Sequence, residues 1–265
     1  MINTLAYAQK QDDQDELASF RERFYHPEIN GQPAIYFTGN SLGLQPKSAE
    51  AYLAQELEDW RKFGVEGHFE ARRPWYSYHE FFSKAMAEIA GAKETEVVAM
   101  GSLTANIHSL MASFYQPTKT RYKILCEKKA FPSDTYAMQA QAKLHGFSIE
   151  DAIVEIAPAK GSDLITEDAI IEKIYELGDS LATVMIGGVN YYSGQVFDMA
   201  VITDAAHKVG AYCGFDLAHG MGNIEVKLHE WQVDFAAWCT YKYLNSGPGS
   251  VGGLFVHENH HKRKL

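Results

Sequence analysis

Cysteine is scarce. Cys126, Cys213 and Cys239 are the only three in 265 residues, and none is spaced C-x-x-C. An odd, sparse set of this kind excludes a disulfide framework and a cysteine zinc site, and no metal is expected. All three lie in apolar runs, where a thiol packs as a small hydrophobe in a reducing compartment. Basic residues are also short: 24 Lys and Arg face 34 Asp and Glu, for a net charge of -10. That balance excludes a general binder of nucleic acid or of an anionic membrane, since both need a basic surface. It leaves room for one phosphate, because a few backbone N–H groups and hydroxyls override the net field locally. No apolar run reaches membrane-spanning length. The polar stretch from Met1 to Arg23, with Asp12, Asp13, Asp15 and Glu16, lacks the basic-then-apolar layout of a signal peptide. The expectation is a soluble cytoplasmic protein. Repeats, low-complexity tracts and Pro/Ser linkers are missing too, so composition marks no domain boundary.

What is present is a 46% hydrophobic chain, long enough to bury the core of one large α/β domain or two small ones. Periodicity predicts helices over 14–24, 48–63 (Leu53, Leu57 and Trp60 on one face) and 75–89, with Gly91 as a stop. A short strand is expected over 34–37 and a loop over 64–75. Strand-like runs follow at 96–100, 123–127, 183–189, 211–216, 235–240 and 252–256. Between them lie helix-like runs at 104–114, 132–145, 166–177, 199–209 and, more weakly marked, 228–231. Alternation of this kind implies crossover connections: an α/β fold with a mostly parallel sheet and helices on both faces. In such sheets ligands sit beyond the carboxyl ends of the strands.

Reactive groups follow three of these runs directly. Asp216 ends an apolar run, with His219 three residues on. Lys242 lies just past the run at 235–240 and before Ser246-Gly247-Pro248-Gly249. Ser102-Leu103-Thr104 follows the 96–100 run and opens a helix. Pyridoxal phosphate (PLP) needs such a set: an amine for a Schiff base, a carboxylate at the pyridine nitrogen, and a helix N-terminus with a hydroxyl for the phosphate. Taken singly, each residue also suits a humbler role: a strand-end cap, a solvated lysine, an ordinary N-cap. Spacing alone leaves both readings open.

Longer strings carry a resemblance. Phe215-Asp216-Leu217-Ala218-His219 and Thr240-Tyr241-Lys242-Tyr243-Leu244-Asn245 resemble the cofactor segments of kynureninases. So do Gly39-Asn40-Ser41-Leu42-Gly43-Leu44, Ala130-Phe131-Pro132-Ser133-Asp134, the stretch from Gly67-His68 to Arg73-Pro74-Trp75, and Val189-Asn190-Tyr191-Tyr192-Ser193-Gly194-Gln195. The likeness runs in order from about Leu17 to the end of the chain.

The resemblance implies an aspartate-aminotransferase-like fold and a homodimer with the active site near the subunit interface. It implies a PLP-dependent hydrolase that converts L-kynurenine to anthranilate and alanine, or 3-hydroxykynurenine to 3-hydroxyanthranilate and alanine, in tryptophan catabolism and one route to NAD. Lys242 is then the Schiff-base lysine and proton shuttle. Asp216 pairs with the ring nitrogen, His219 lies beside the cofactor and Phe131 stacks on it. Pro132, Ser133 and Asp134 share the Phe131 loop, with Ser133 and Asp134 flanking the cofactor. Leu103 and Thr104 hold the phosphate, and Tyr241 reaches it and serves as an acid. Ser41 and His68 would contact the aromatic ring of the substrate. The implied organisation is an N-terminal segment, 1–75, contributing to the substrate site, and an incomplete large PLP-binding domain, 76–265.

Two departures stand out. Gly187 occupies a position where the family usually has Ser or Thr, so a hydroxyl is missing or a water replaces it. The chain also stops at Leu265, where the family continues into a C-terminal small domain. An inactive truncated fragment and a different PLP enzyme of the same fold, such as a cysteine desulfurase, are the alternatives. The histidines between His257 and His261 are expected in a frayed, solvated tail.

Overall fold

Strands covered on both faces should lack the apolar–polar alternation of half-exposed strands, and the central strands of this chain do lack it. The computed structural model describes residues 2–262. Its N-terminal segment carries helix α1 (Leu5–Asp13), a hairpin of β1 (Glu28–Ile29) and β2 (Gln32–Pro33), helix α2 (Ala49–Phe63) and the one-turn α3 (Gly67–Glu70). A 3-10 run over Trp75–Phe82 leads into α4 (Ser83–Ala90). Then come β3 (Val97–Ala99), α5 (Leu103–Phe114), β4 (Lys123–Glu127), α6 (Pro132–Leu144), α7 (Ile149–Ala152) and β5 (Ile153–Ile156). They are followed by α8 (Glu167–Leu177), β6 (Leu181–Gly187), α9 (Met199–Lys208), β7 (Tyr212–Asp216), β8 (Phe235–Trp238) and β9 (Gly253–Val256).

The main sheet has the order β3-β9-β8-β7-β6-β4-β5. Strands β5, β4, β6, β7 and β8 pair in parallel, while β9 runs antiparallel to both β8 and β3. This is the mostly parallel α/β sheet expected from the alternation of runs. Successive strand residues enter opposite core layers, as a two-residue period requires. Leu125, Ile186, Phe215 and Trp238 pack with Met86 of α4, Ile170 of α8 and Ile202 of α9. Ile124, Met185, Phe235 and Ala237 pack with Ile107 and Met111 of α5 and Met138 of α6. Gly214 pairs with Phe235 in the β7–β8 register, and a Cβ there would sit 2.0 Å from the Phe235 ring. The absence of a side chain lets that ring lie over β7 and stack on Phe114 at 4.6 Å.

Side-chain caps start several helices as sequence chemistry dictates. Ser102, Ser148, Thr166 and Asp198 each accept an N–H from the first turn that follows. Gly91 stops α4 in the left-handed region at φ +56°.

The N-terminal quarter departs most from expectation. The helix expected at 14–24 is split between α1, which precedes it, and a 3-10 run at Ala18–Arg23. No strand forms at 34–37. Instead Asn30 and Gly31, both at positive φ, turn the β1–β2 hairpin just upstream. The 64–75 loop contains a 3-10 turn and α3. Helix α2 forms as expected, but Leu53, Leu57 and Trp60 are 62–67% exposed. Its buried residue is Asp59, which accepts Gln55 Nε2 at 2.9 Å and the Arg72 amide at 3.0 Å. Residues 228–231 form turns, and α7 with β5 is an addition that periodicity did not mark.

Of the C-terminal histidines, His257 and His260 are anchored rather than frayed, while His261 is exposed. Buried Glu96 accepts His229 Nδ1 and the Glu258 amide at 2.9 Å through one oxygen and the Lys93 amide at 2.9 Å through the other. His257 is buried and stacks on His229 at 4.9 Å. His260 bonds Asp234 at 2.8 Å, and Asp234 also meets His207 at 2.9 Å. Burial pushes the Glu96 carboxyl up, but the two amides and His229 outweigh it and leave it below its ordinary value. A depressed carboxyl stabilises the fold above its unfolded pKa and loses that contribution as pH falls through the folded value. Glu96→Gln should therefore cost roughly 1–3 kcal/mol at neutral pH, measured by urea unfolding. The gap to the parent should begin to close below about pH 4.3, the ordinary Glu value, as the parent itself takes up a proton.

Candidate active site

Three adjacent parallel strands, β4, β6 and β7, end in Glu127, Gly187 and Asp216, and all three residues line one pocket at the carboxyl edge of the sheet. The loop after β8 brings Lys242 into the same pocket, with Nζ 3.1 Å from His219 Nε2. Burial, and then the Lys242 charge, hold the His219 imidazole below its ordinary pKa. Neutral His219 thus accepts from the lysine.

Hydrogen bonds to backbone carbonyls fix that loop. Thr240 Oγ1 donates to the Val251 carbonyl at 2.6 Å, and the Ser246 amide donates to the Thr240 carbonyl at 3.1 Å. From the other side the Gly43 amide donates to the Tyr241 carbonyl at 2.8 Å. A Cβ on Gly43 would lie 2.2 Å from the Lys242 carbonyl oxygen, so only glycine lets the 38–43 turn approach this closely.

Asp216 is buried, and its Oδ1 accepts the Ala218 amide at 2.7 Å. Asp134, in the first turn of α6, is buried beside it and accepts Ser133 Oγ at 3.2 Å. Burial, then the Asp216 charge and a hydrogen bond to it, push the Asp134 carboxyl well above the usual range. Asp134 therefore favours its protonated form beside Asp216. Burial also raises the Glu127 carboxyl to about 7, against amide hydrogen bonds that lower it, and the Asp216 charge raises it further.

On another side of the pocket, α5 begins. Ala105 and Asn106 direct their amides to Ser102, and Leu103 and Thr104, the first two residues of α5, line the cavity. Phe131 and Tyr191 form an aromatic wall, ring centroids 5.4 Å apart and edge to face. An amine, a neutral imidazole, a buried pair of neighbouring carboxyl groups, an apolar ring face and a helix N-terminus match the needs of a phosphorylated, cationic aromatic aldehyde.

The pocket gathers Leu103, Thr104, Phe131, Ser133, Asp134, Asp216, His219, Tyr241 and Lys242 of the residues expected from sequence. Pro132 is the first residue of α6 and lies just outside the lining. Ser41 and His68 are not among the lining residues. The Ser41 amide closes a turn onto Thr38, and His68 bonds the Val65 carbonyl at 2.8 Å with its ring on Trp75. Glu127 lines the pocket without having been named from sequence, while Ser102 was noted as opening the helix and Val189, Tyr191 and Ala218 only as members of longer strings. Glu127 carried the same signal as Asp216, a carboxylate ending an apolar strand. At Gly187, which lacks the hydroxyl usual at this position in the family it resembles, the amide donates to Glu127 at 3.1 Å.

Among the described residues Glu96, His229 and His257 are close enough to share a metal ion. Their facing atoms already bond one another and nearby amides.

The chain is 57% identical to a kynureninase of Flavobacterium psychrophilum over 98% of its own length, and 48% identical to human kynureninase over 94%. It spans 61% and 56% of those relatives. Among solved structures, an apo cysteine desulfurase from Thermococcus onnurineus superposes with a TM-score of 0.66 at 20% identity, covering 85% of this chain and 54% of that one. A C-DES variant with glycine covalently linked to its PLP cofactor gives 0.70 at 20% identity, covering 85% and 57%. At that identity these likenesses establish the fold. A family model, aminotransferase class-V, matches residues 35–264, and the chain belongs to that family.

Proposed function

We propose that this chain is the cofactor-binding part of a kynureninase, which hydrolyses L-kynurenine, 3-hydroxy-L-kynurenine or both, releasing L-alanine and the corresponding anthranilate. The observation that carries the reading is the meeting of Lys242, His219 and the Asp216–Asp134 pair in one pocket. The 46–57% identity to kynureninases supports the substrate class.

The pocket fits PLP, which when bound supplies an electron sink that acidifies the substrate Cα and permits carbon–carbon cleavage. Lys242 would carry the cofactor aldehyde and, once freed by substrate, move a proton at Cα. Asp216 would hold the proton on the pyridine nitrogen. The Leu103 and Thr104 amides and the Thr104 hydroxyl would bind phosphate at the start of α5, with Tyr241 beside them as an acid. Phe131 would cover one ring face, with Pro132, Ser133 and Asp134 setting its position.

Ser41 and His68 are assigned to the substrate ring. The support for Ser41 is the seat of its turn against the Lys242 loop; for His68 it is sequence resemblance. The segment 1–75 would thus complete a site built on 76–265. A homodimer is the proposed assembly, and the exposed Leu53, Leu57 and Trp60 of α2 support it. Three free, buried thiols fit a cytoplasmic setting.

The test is to mix the protein with PLP and to offer kynurenine, 3-hydroxykynurenine or cysteine. Fluorescent anthranilate or its hydroxy form should appear from a kynurenine and no sulfide from cysteine. Sulfide from cysteine with no anthranilate would favour a desulfurase instead. The same assay on the 265-residue chain tells an active unit from an inactive fragment.

A further inference from the structure

We propose that Glu127 is a positioning residue of this pocket: it clamps the end of β6 and acts as a titratable third carboxylate that sets the charge held beside Asp216. Its effect on a bound cofactor rests on the PLP reading above; its clamp and its proton do not.

The clamp is geometric. Glu127 is 5% exposed, and its carboxylate crosses from β4 to accept the Gly187 amide at 3.1 and 3.4 Å through its two oxygens. Gly187 is in register with Asp216, and the next amide, Gly188, donates to the Asp216 carbonyl at 2.8 Å. A Cβ on residue 187 would lie 3.1 Å from Glu127 Oε1, tighter than ordinary contact, so the glycine gives the carboxylate its seat. Glu127 therefore holds the strand that in turn holds Asp216.

The charge follows from crowding. Asp216 from β7 and Asp134 from α6 share the buried volume with Glu127; the Cys126 thiol is its neighbour on β4; His219, Tyr241 and Lys242 face the same cavity from the loops after β7 and β8. Three carboxyls in one low-dielectric space cannot all ionise. Asp134 keeps its proton, and Glu127 is divided between its two forms near neutrality. A cationic ring bound against Asp216 favours the ionised form, so cofactor uptake should expel a proton from Glu127.

The test compares the parent with Glu127→Gln, which keeps an oxygen for the Gly187 amide and removes the titration. Infrared spectra of the cofactor-free proteins should show a protonated-carboxyl band in the parent that declines through neutrality. In the variant that step should be absent while the Asp134 contribution persists. PLP affinity of the parent, relative to the variant, should rise roughly threefold to tenfold between about pH 6 and 8, a coupling of up to one pKa unit. A carboxyl step surviving in the variant, or parallel affinity profiles, would overturn the proposal. If Glu127→Gln does not fold, Glu127→Asp replaces it and should move the step instead of removing it; an unmoved step counts against the proposal. A parent that takes up no PLP at any pH sinks the proposed function and the cofactor role of Glu127 together. The infrared step then still decides whether Glu127 carries the proton.

Discussion

On the proposed function, Lys242→Ala should leave a folded protein that cannot retain PLP covalently and turns over kynurenine at least about 1,000-fold more slowly, since that proposal makes Lys242 both the attachment point and the proton shuttle. The variant mixed with PLP should lose the visible absorbance of the lysine-bound cofactor after gel filtration, and borohydride should no longer fix label to the chain. A second readout is independent of turnover. His219 is held below its ordinary pKa by burial first and the Lys242 charge second. Removing the charge leaves burial in place and deletes the second cause, so the imidazole pKa should rise, as NMR titration of the cofactor-free proteins would show. Persistent absorbance and activity would transfer the amine's role to another lysine. An unmoved His219 titration would mean that the 3.1 Å contact is not made in solution.

Asp216→Asn should lower kcat by roughly 100- to 1,000-fold, the scale of a lost charge-assisted interaction at a reacting group. An amide has no negative charge with which to keep a pyridine nitrogen protonated, although its oxygen still suits the Ala218 amide. Stability should move the other way. In the cofactor-free protein the substitution removes a buried charge that repels partly ionised Glu127 and should stabilise by about 1 kcal/mol in urea unfolding. Asp134 should then titrate closer to its ordinary range, because two of the causes that raise it come from Asp216. Equal losses of stability and activity would instead mark Asp216 as a structural residue.

Part of this site could be read without coordinates because strand ends are local events. An apolar run that stops at Asp216, or a few residues before Lys242, says that a polar group leaves the core there, and in parallel sheets such edges hold ligands. Helix starts were equally legible at Ser102 and Thr166, since one side-chain oxygen and one nearby amide make the cap. The N-terminal segment resisted for the opposite reason. The apolar residues at 35 and 37 carry strand propensity but found no partner strand, and both are more than 80% exposed. The Asn30-Gly31 turn, with its positive φ values, was the stronger local signal. On α2 the spacing marked an apolar face correctly and said nothing about what covers it.

The sequence by itself determined the α/β class, the position of the reactive groups at strand ends and the family resemblance, because each depends on the order and spacing of neighbouring residues. Only the tertiary structure decided that Glu127 joins Asp134 and Asp216 in one buried volume, that Gly43 must lack a side chain beside Lys242, and that Glu96 and Asp234 anchor the segment carrying His257 and His260. These are contacts between segments tens to more than a hundred residues apart. Their energetics depend on burial and on which charges share it, quantities that come into being only when the chain closes on itself.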